Sequence, residues 1–296
     1  MNLSLCCISN ILSERGIKFR TMTYKSFCSK PREESLQKLS EIIRNNFRVT
    51  RQTIQHCYDS GIRGYRISSD LTPIITHPDV NLSLEELPDF SLIQYEINEL
   101  KKVIRDTKIR VSAHPSEYIT LTSDNPAAIY NSIADLESHA NLFDRLELPQ
   151  NYESPLNIHI RKDGEPNFLS QEFMKNFEKL SNSVKSRLVL ENNDTGTTWT
   201  VSNLKKYFFD PYGIPVTFDN LHHEFLNNNQ SYSDAFYEAK STWNTTPIFH
   251  YSEGKNNTRA HADMPIQSPI GFNENILWEV ELKNKDYAIL HILNSL

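Results

Sequence analysis

Eight short runs rich in β-branched, aliphatic and aromatic residues recur along the chain, separated in several places by stretches whose apolar residues repeat at three- and four-residue steps. This alternation of two periods is the signature of βα units feeding a parallel sheet. The expected strands are Leu3 to Cys7, Arg63 to Ile67, Lys108 to Ser112, Leu156 to Ile160, Arg187 to Glu191, Ile214 to Phe218, Pro247 to His250 and Ile276 to Glu281. Between them, Leu36, Leu39, Ile42, Ile43, Phe47 and Ile54 mark a helix over Glu34 to Ser60 that stops at Gly61, and Ile129, Ile133, Leu136, Ala140 and Phe143 mark a second that stops before Pro149. Eight strands with intervening helices predict an α/β fold, a slightly irregular TIM (β/α)8 barrel forming a single domain over residues 1–296. The irregularities are an insertion at about 9–32, without evident periodicity, and a short connection before the last strand.

Composition narrows the function. A chain of 296 residues, 38% of them hydrophobic, can bury a sizeable core without disulfides. The four cysteines, Cys6, Cys7, Cys28 and Cys57, form no CxxC pair and read as thiols. No run approaches the roughly 18 apolar residues of a membrane span, and Met1 to Asn10 lacks the pattern of a cleaved leader, so the expectation is a soluble, intracellular protein with no membrane partner. Thirty-one basic against 37 acidic residues give a formal charge of −6, so any grip on nucleic acid must come from local cations. Only eight glycines, with neither GxGxxG nor GxxxxGK[ST], argue against a nucleotide cofactor.

The chemistry lies where the expected strands end, because a barrel of this type carries its site at the carboxyl ends of its strands. His114 follows the third, His159 closes the fourth, Glu191 the fifth, Asp219 and His222 follow the sixth, His250 closes the seventh and Glu281 the eighth. His77, His223 and His261 fall in loops or turns of the same face, whereas His56, His139 and His291 fall in helices. Imidazole and carboxylate without thiolate suit Zn²⁺, Mn²⁺ or Fe²⁺, and so many donors exceed the needs of one tetrahedral ion. Two or three divalent ions are implied, with Glu191, in the middle of the order, the natural bridge. Such a cluster best serves phosphodiester hydrolysis.

The segments Tyr65–Leu71, His114–Tyr118, Leu190–Asp194, Phe218–His223, Ala260–Asp263 and Val280–Lys283 resemble, in order and spacing, the signatures of the UV damage endonuclease family, itself related in fold to the endonuclease IV type AP endonucleases. The resemblance spans Leu3 to about Ala288. It implies a repair nuclease that uses divalent metals, typically manganese, to nick damaged double-stranded DNA on the 5′ side of pyrimidine dimers and 6-4 photoproducts. Carried over motif by motif, the metal ligands are His114, His159, Glu191, Asp219, His222, His250, His261 and Glu281, and His77 matches a histidine near the metals and the scissile phosphate. Glu117 and Tyr118 fall where the family probes the duplex with a glutamine and an aromatic residue, a ring there being able to stack on unpaired bases. Arg66, Lys162, Lys255 and Arg259 are candidates to hold the DNA backbone. A monomer is expected.

Three departures from the family pattern stand out. Leu5 and Ser9 occupy positions of a family tyrosine and asparagine, Glu117 replaces the glutamine, and Ile248 stands where the family carries a lysine two residues before the histidine of the seventh strand. Catalysis is expected to survive with altered metal occupancy. Competing readings are an AP endonuclease, a metal-dependent sugar isomerase of the same superfamily, and a relic that binds lesions without cutting.

Overall fold

A computed structural model describes residues 1–295. Its strands are β1 (Asn2–Cys6), β2 (Gly64–Ile67), β3 (Arg110–Ala113), β4 (Leu156–His159), β5 (Leu188–Glu191), β6 (Val216–Thr217), β7 (Ile248–Tyr251) and β8 (Leu277–Val280), each within two residues of its expected bounds. All pair in parallel, in the order β6-β5-β4-β3-β2-β1-β8-β7. An isolated parallel bridge between Asp219 and His250 joins the two outer strands, with the His250 amide donating to the Phe218 carbonyl at 2.9 Å, and the sheet thereby becomes a ring.

The helices wrap this ring because each presents one apolar stripe to it. Arg32–Asp59 buries Leu39, Ile42, Ile43, Phe47 and Ile54 and ends where Gly61, at φ +78°, supplies the left-handed turn that favours glycine. Phe90–Thr107 buries Ile93, Ile97, Leu100 and Ile104 and packs beside it. Pro126–Arg145 begins with Pro126 in its first turn and the Asn125 side chain accepting from the Ala127 amide. The 9–32 segment, expected to be irregular, instead holds two short helices, Asn10–Glu14 and Tyr24–Phe27. Each is nucleated by a local cap, Ser9 accepting from the Leu12 amide and Thr23 from the Ser26 amide, a device too short to register as periodicity. The connection before β8, expected to be short, instead runs from Ser252 to Ile276, and it holds no α-helix, only the 3-10 turn Lys255–Asn257. No helix among the described residues is long and apolar enough to cross a membrane.

Inside the ring the packing is more polar than aliphatic layers would make it. Gly64 on β2 lets neighbours close in, since a Cβ there would lie 2.7 Å from Ser4 Oγ and 2.8 Å from Leu277 Cδ2. At the amino end of the strands Arg110 reaches from β3 to the Glu153 and Tyr152 carbonyls before β4 and to the Thr246 carbonyl before β7, tying two loops to β3 through one guanidinium. Toward the other end the inner face carries Arg66, Ser112, Asn157, Glu191, His250 and Glu279, which touch one another across the barrel.

The chain's two ends meet at Asp286. Its buried carboxylate accepts from Ser9 Oγ and, at 2.9 Å, from the Asn10 amide, and lies 3.2 Å from His56 Nε2 on the long helix. Burial works to raise this carboxyl, but the bonds from His56, Ser9 and the Asn10 amide outweigh it and hold the group below its ordinary value. A depressed carboxylate adds stability above its unfolded value near 3.9 that is lost as pH falls through the lower folded value. Asp286→Ala should therefore cost about 3 kcal/mol at neutral pH, by orphaning buried donors; urea denaturation of both proteins measures this, and the difference should shrink in acid.

Candidate metal centre

Glu191 ends β5 on the inner face with only 1% of its side chain exposed, and four imidazoles from four other loops or strands surround it. His114 Nε2 is 3.3 Å from Oε2, His159 Nε2 3.6 Å from Oε1, His222 Nδ1 3.1 Å from Oε1 and His250 Nδ1 3.1 Å from Oε2. Asp219, wholly buried, stands 3.8 Å from His250 Nδ1, and Glu281 Oε1 stands 3.5 Å from the same nitrogen. His261 Nε2 lies 3.7 Å from Glu281 Oε2. Three overlapping trios have ligand atoms within 4.8 Å of one another: His114, His159 and Glu191; Glu191, Asp219 and His222; and Asp219, His250 and Glu281. Glu191 and Asp219 each belong to two of them, the arrangement a bridging carboxylate requires.

The rings are held in fixed tautomers. His114 Nδ1 donates to the Pro115 carbonyl (3.0 Å), His159 Nδ1 to Asn193 Oδ1 (3.0 Å), His222 Nδ1 to the Asn192 carbonyl (2.9 Å) and His261 Nδ1 to the Glu281 carbonyl (2.8 Å), which leaves the Nε2 lone pair of each for a cation. Asn192 also exchanges two hydrogen bonds with the Asp219 backbone, fixing β5 against β6, and Asn193 Nδ2 donates to the Ile160 carbonyl after β4. Asp219 caps the helix Asn220–Phe225 by accepting from the His222 amide, so the cap itself delivers His222 to the site.

The residues fit divalent cations on an observation of their own. Asp219 Oδ2, His250 Nδ1 and His250 Nε2 are buried and make no hydrogen bond, a costly state for polar atoms unless a charge completes their shell. Protons compete for the same positions. Burial works against the charged form of His222, but Asp219 and Glu191 outweigh it and raise the ring to about 10. His250 is likewise raised, against its burial, by Glu191 and Glu281. Burial pushes His159 down to about 4, so that ring is neutral and ready to ligate at neutral pH. The Glu191 carboxyl is held well below the ordinary range, its burial overcome by His159 and His250, whereas burial pushes Asp219 up.

Other expected site residues lie elsewhere. Arg66, expected to grip the DNA backbone, is instead an interior cation: its side chain is 11% exposed, donates to Glu281 and lies 3.2 Å from Glu279, because β2 points it into the barrel. Lys255, Arg259 and Lys162 do stand on exposed loops, but each faces a carboxylate, Asp263 at 2.9 Å, Asp194 at 3.7 Å and Asp124 at 2.6 Å. Arg259 also lies over the Phe225 ring. His77 stacks on Tyr24, ring centres 4.2 Å apart, and lines a cavity of about 580 Å³ with Ser68, Asp70, Ser116, Tyr118 and Asp135; it joins none of the three trios. Tyr118 is 81% exposed and Glu117 is exposed beside it. Leu5 and Ile248 are buried in the apolar core, and Ser9 is committed to Asp286. All four cysteines are free.

The sequence reading missed Glu279, buried on β8 between β7 and β1. The strand alternation in Leu277-Trp278-Glu279-Val280-Glu281 was the available signal, since it puts Glu279 and Glu281 on one face.

Solved structures resemble the chain at two levels. It superposes over its whole length on 97% of the crystal structure of SacUVDE, with a TM-score of 0.83 and 25% identity. Endonuclease IV from Thermus thermophilus matches 83% of the chain and 92% of its own, with a TM-score of 0.57 and 13% identity, a likeness of fold alone. In sequence, the UV DNA damage endonuclease of Nostoc sp. is 31% identical over 302 residues, covering 98% of the chain and 88% of the relative, and that of Bacillus cereus strain G9842 is 29% identical over 94% and 89%. With the model for UV-endonuclease UvdE matching residues 1–296 as well, the chain belongs to the UV-endonuclease UvdE family.

Proposed function

We propose that this protein is a DNA repair endonuclease that hydrolyses the phosphodiester backbone on the 5′ side of ultraviolet photoproducts, pyrimidine dimers and 6-4 photoproducts, with two or three divalent cations held at the carboxyl end of the barrel. The observation that carries this reading is the set of three trios sharing Glu191 and Asp219. Similarity to enzymes named for UV DNA damage supports the choice of substrate.

His114, His159 and Glu191 would hold one cation, Glu191, Asp219 and His222 a second, and Asp219, His250 and Glu281 a third, with His261 beside Glu281. An all-nitrogen and oxygen donor set suits Mn²⁺, and also Zn²⁺. Cations bound there supply the charge that activates water and stabilises an in-line displacement at phosphorus. The chain's own part is to fix the donors and to orient the duplex. The Nδ1–H bonds of four histidines stop their rings from turning, so the donors need little reorganisation when phosphate arrives. Ile248 contributes no donor, and the cations depend on the remaining side chains.

On the rim, Tyr118 offers an exposed ring that can stack where bases part, worth roughly 1–3 kcal/mol per base. Lys162, Lys255 and Arg259 would hold phosphates by exchanging their present carboxylate partners for the DNA backbone. Glu117 beside Tyr118 places negative charge near the duplex and tunes which lesions are accepted.

The test is supercoiled plasmid, ultraviolet-irradiated or not, incubated with the protein and Mn²⁺ or with a chelator. Irradiated plasmid should be nicked with Mn²⁺ only. Equal nicking of both plasmids would refute damage specificity, and no nicking under any condition would favour a lesion-binding relic.

A further inference from the structure

We propose that Glu279 is the positioning residue for His250 and turns that imidazole opposite to the other clustered histidines, so that His250 offers Nδ1 to a cation while its Nε2–H points at Glu279. This inference rests on the metal centre proposed above. His114, His159, His222 and His261 all donate from Nδ1 to a carbonyl or amide oxygen and present Nε2. His222 Nδ1 also lies 3.1 Å from Glu191 Oε1 but keeps its bond to the Asn192 carbonyl, whereas His250 breaks the pattern in having no carbonyl or amide oxygen to hold its Nδ1. Its Nδ1 faces Glu191 at 3.1 Å, Glu281 at 3.5 Å and Asp219 at 3.8 Å, whereas its Nε2 faces Glu279 Oε2 at 3.2 Å. Neither nitrogen makes a hydrogen bond, so the ring needs only a cation on one side and a realigned Nε2–H on the other to satisfy both.

Glu279 is placed for that role. Its side chain is 1% exposed, too deep to meet DNA or solvent. Ser112 Oγ from β3 donates to its Oε1, and Arg66 Nη1 from β2 lies 3.2 Å from its Oε2, the oxygen that also faces His250. Arg66 donates in turn to Glu281, so one guanidinium couples this supporting carboxylate to a candidate ligand. A carboxylate behind a ligating imidazole fixes its tautomer and raises its basicity, and losing one costs about 10–100-fold in metal affinity.

Two measurements test the assignment on the full-length protein. In the wild type, long-range ¹⁵N–¹H NMR of labelled histidines with Zn²⁺ should show Nδ1 ligated and Nε2 protonated for His250, and the reverse for the other four. A His250 ligated through Nε2 would overturn the proposal while leaving the nuclease reading intact; no Zn²⁺-dependent change at any of these histidines would overturn both. Second, Glu279→Ala should weaken Mn²⁺ binding, read by calorimetry, about 10–100-fold, and Glu279→Gln, which keeps an acceptor oxygen, should recover most of that loss. Equal Mn²⁺ affinity in the wild type and in folded Glu279→Ala would overturn the proposal. Should the alanine variant fail to fold, the wild-type tautomer alone decides.

Discussion

Glu191→Ala should abolish Mn²⁺-dependent nicking of irradiated plasmid, with a loss of roughly 10³-fold or more, corresponding to about 4 kcal/mol of transition-state stabilisation. The size follows from position. Glu191 is shared by two of the three trios and lies within 3.6 Å of four imidazole nitrogens, so its removal strips a donor from two cation positions at once. It also leaves the clustered histidines without their common counter-charge. The neighbouring carboxylates Asp219 and Glu281 already serve the other trios, and Asn157, which donates to Glu191, brings an amide rather than a carboxylate. Mn²⁺ titration followed by calorimetry should show a lower stoichiometry than in the wild type. A Glu191→Ala protein that still nicks within tenfold of the wild-type rate would show that the cluster is structural.

The second large effect is a coupling between metal and proton. In the cation-free protein His222 is raised to about 10, so between pH 6 and 8 it holds a proton that a cation must displace. Mn²⁺ affinity should therefore climb over that range by about tenfold per pH unit for each proton released. Calorimetry in buffers of different ionisation enthalpy counts those protons directly. The stability of the cation-free protein should move the other way. A base whose folded value is raised adds stability that is fully present below its unfolded value near 6.5 and is lost as pH rises through about 10. Thermal melts with a chelator should accordingly fall across this window, and the extra stability conferred by Mn²⁺ should grow. Affinity independent of pH would contradict the protonated cluster.

What could be read from the sequence divides along a physical line. Strands were legible because a barrel strand is a short apolar run, and its closing residue is legible once the run is found, as His159 and Glu191 illustrate. Direction was legible to the extent that alternation is. Arg66 escaped because a cation beside a motif reads as exposed, although its parity on β2 sends it inward to Glu279 and Glu281. Glu279 escaped because attention to strand ends passes over the residue one layer deeper. The two short helices of the 9–32 segment depend on Ser9 and Thr23 as caps and on packing, neither of which leaves a period. The tautomers of the histidines had no signal at all, since they are set by carbonyls and an amide oxygen brought close only by folding.

The bridge between β6 and β7 joins Asp219 to His250, two members of one trio. The hoop is thus fastened at a buckle made of two candidate ion-holding side chains, so a cation held by both would brace the closure from within. If divalent cations are bound there, their removal by a chelator should speed limited proteolysis at that join.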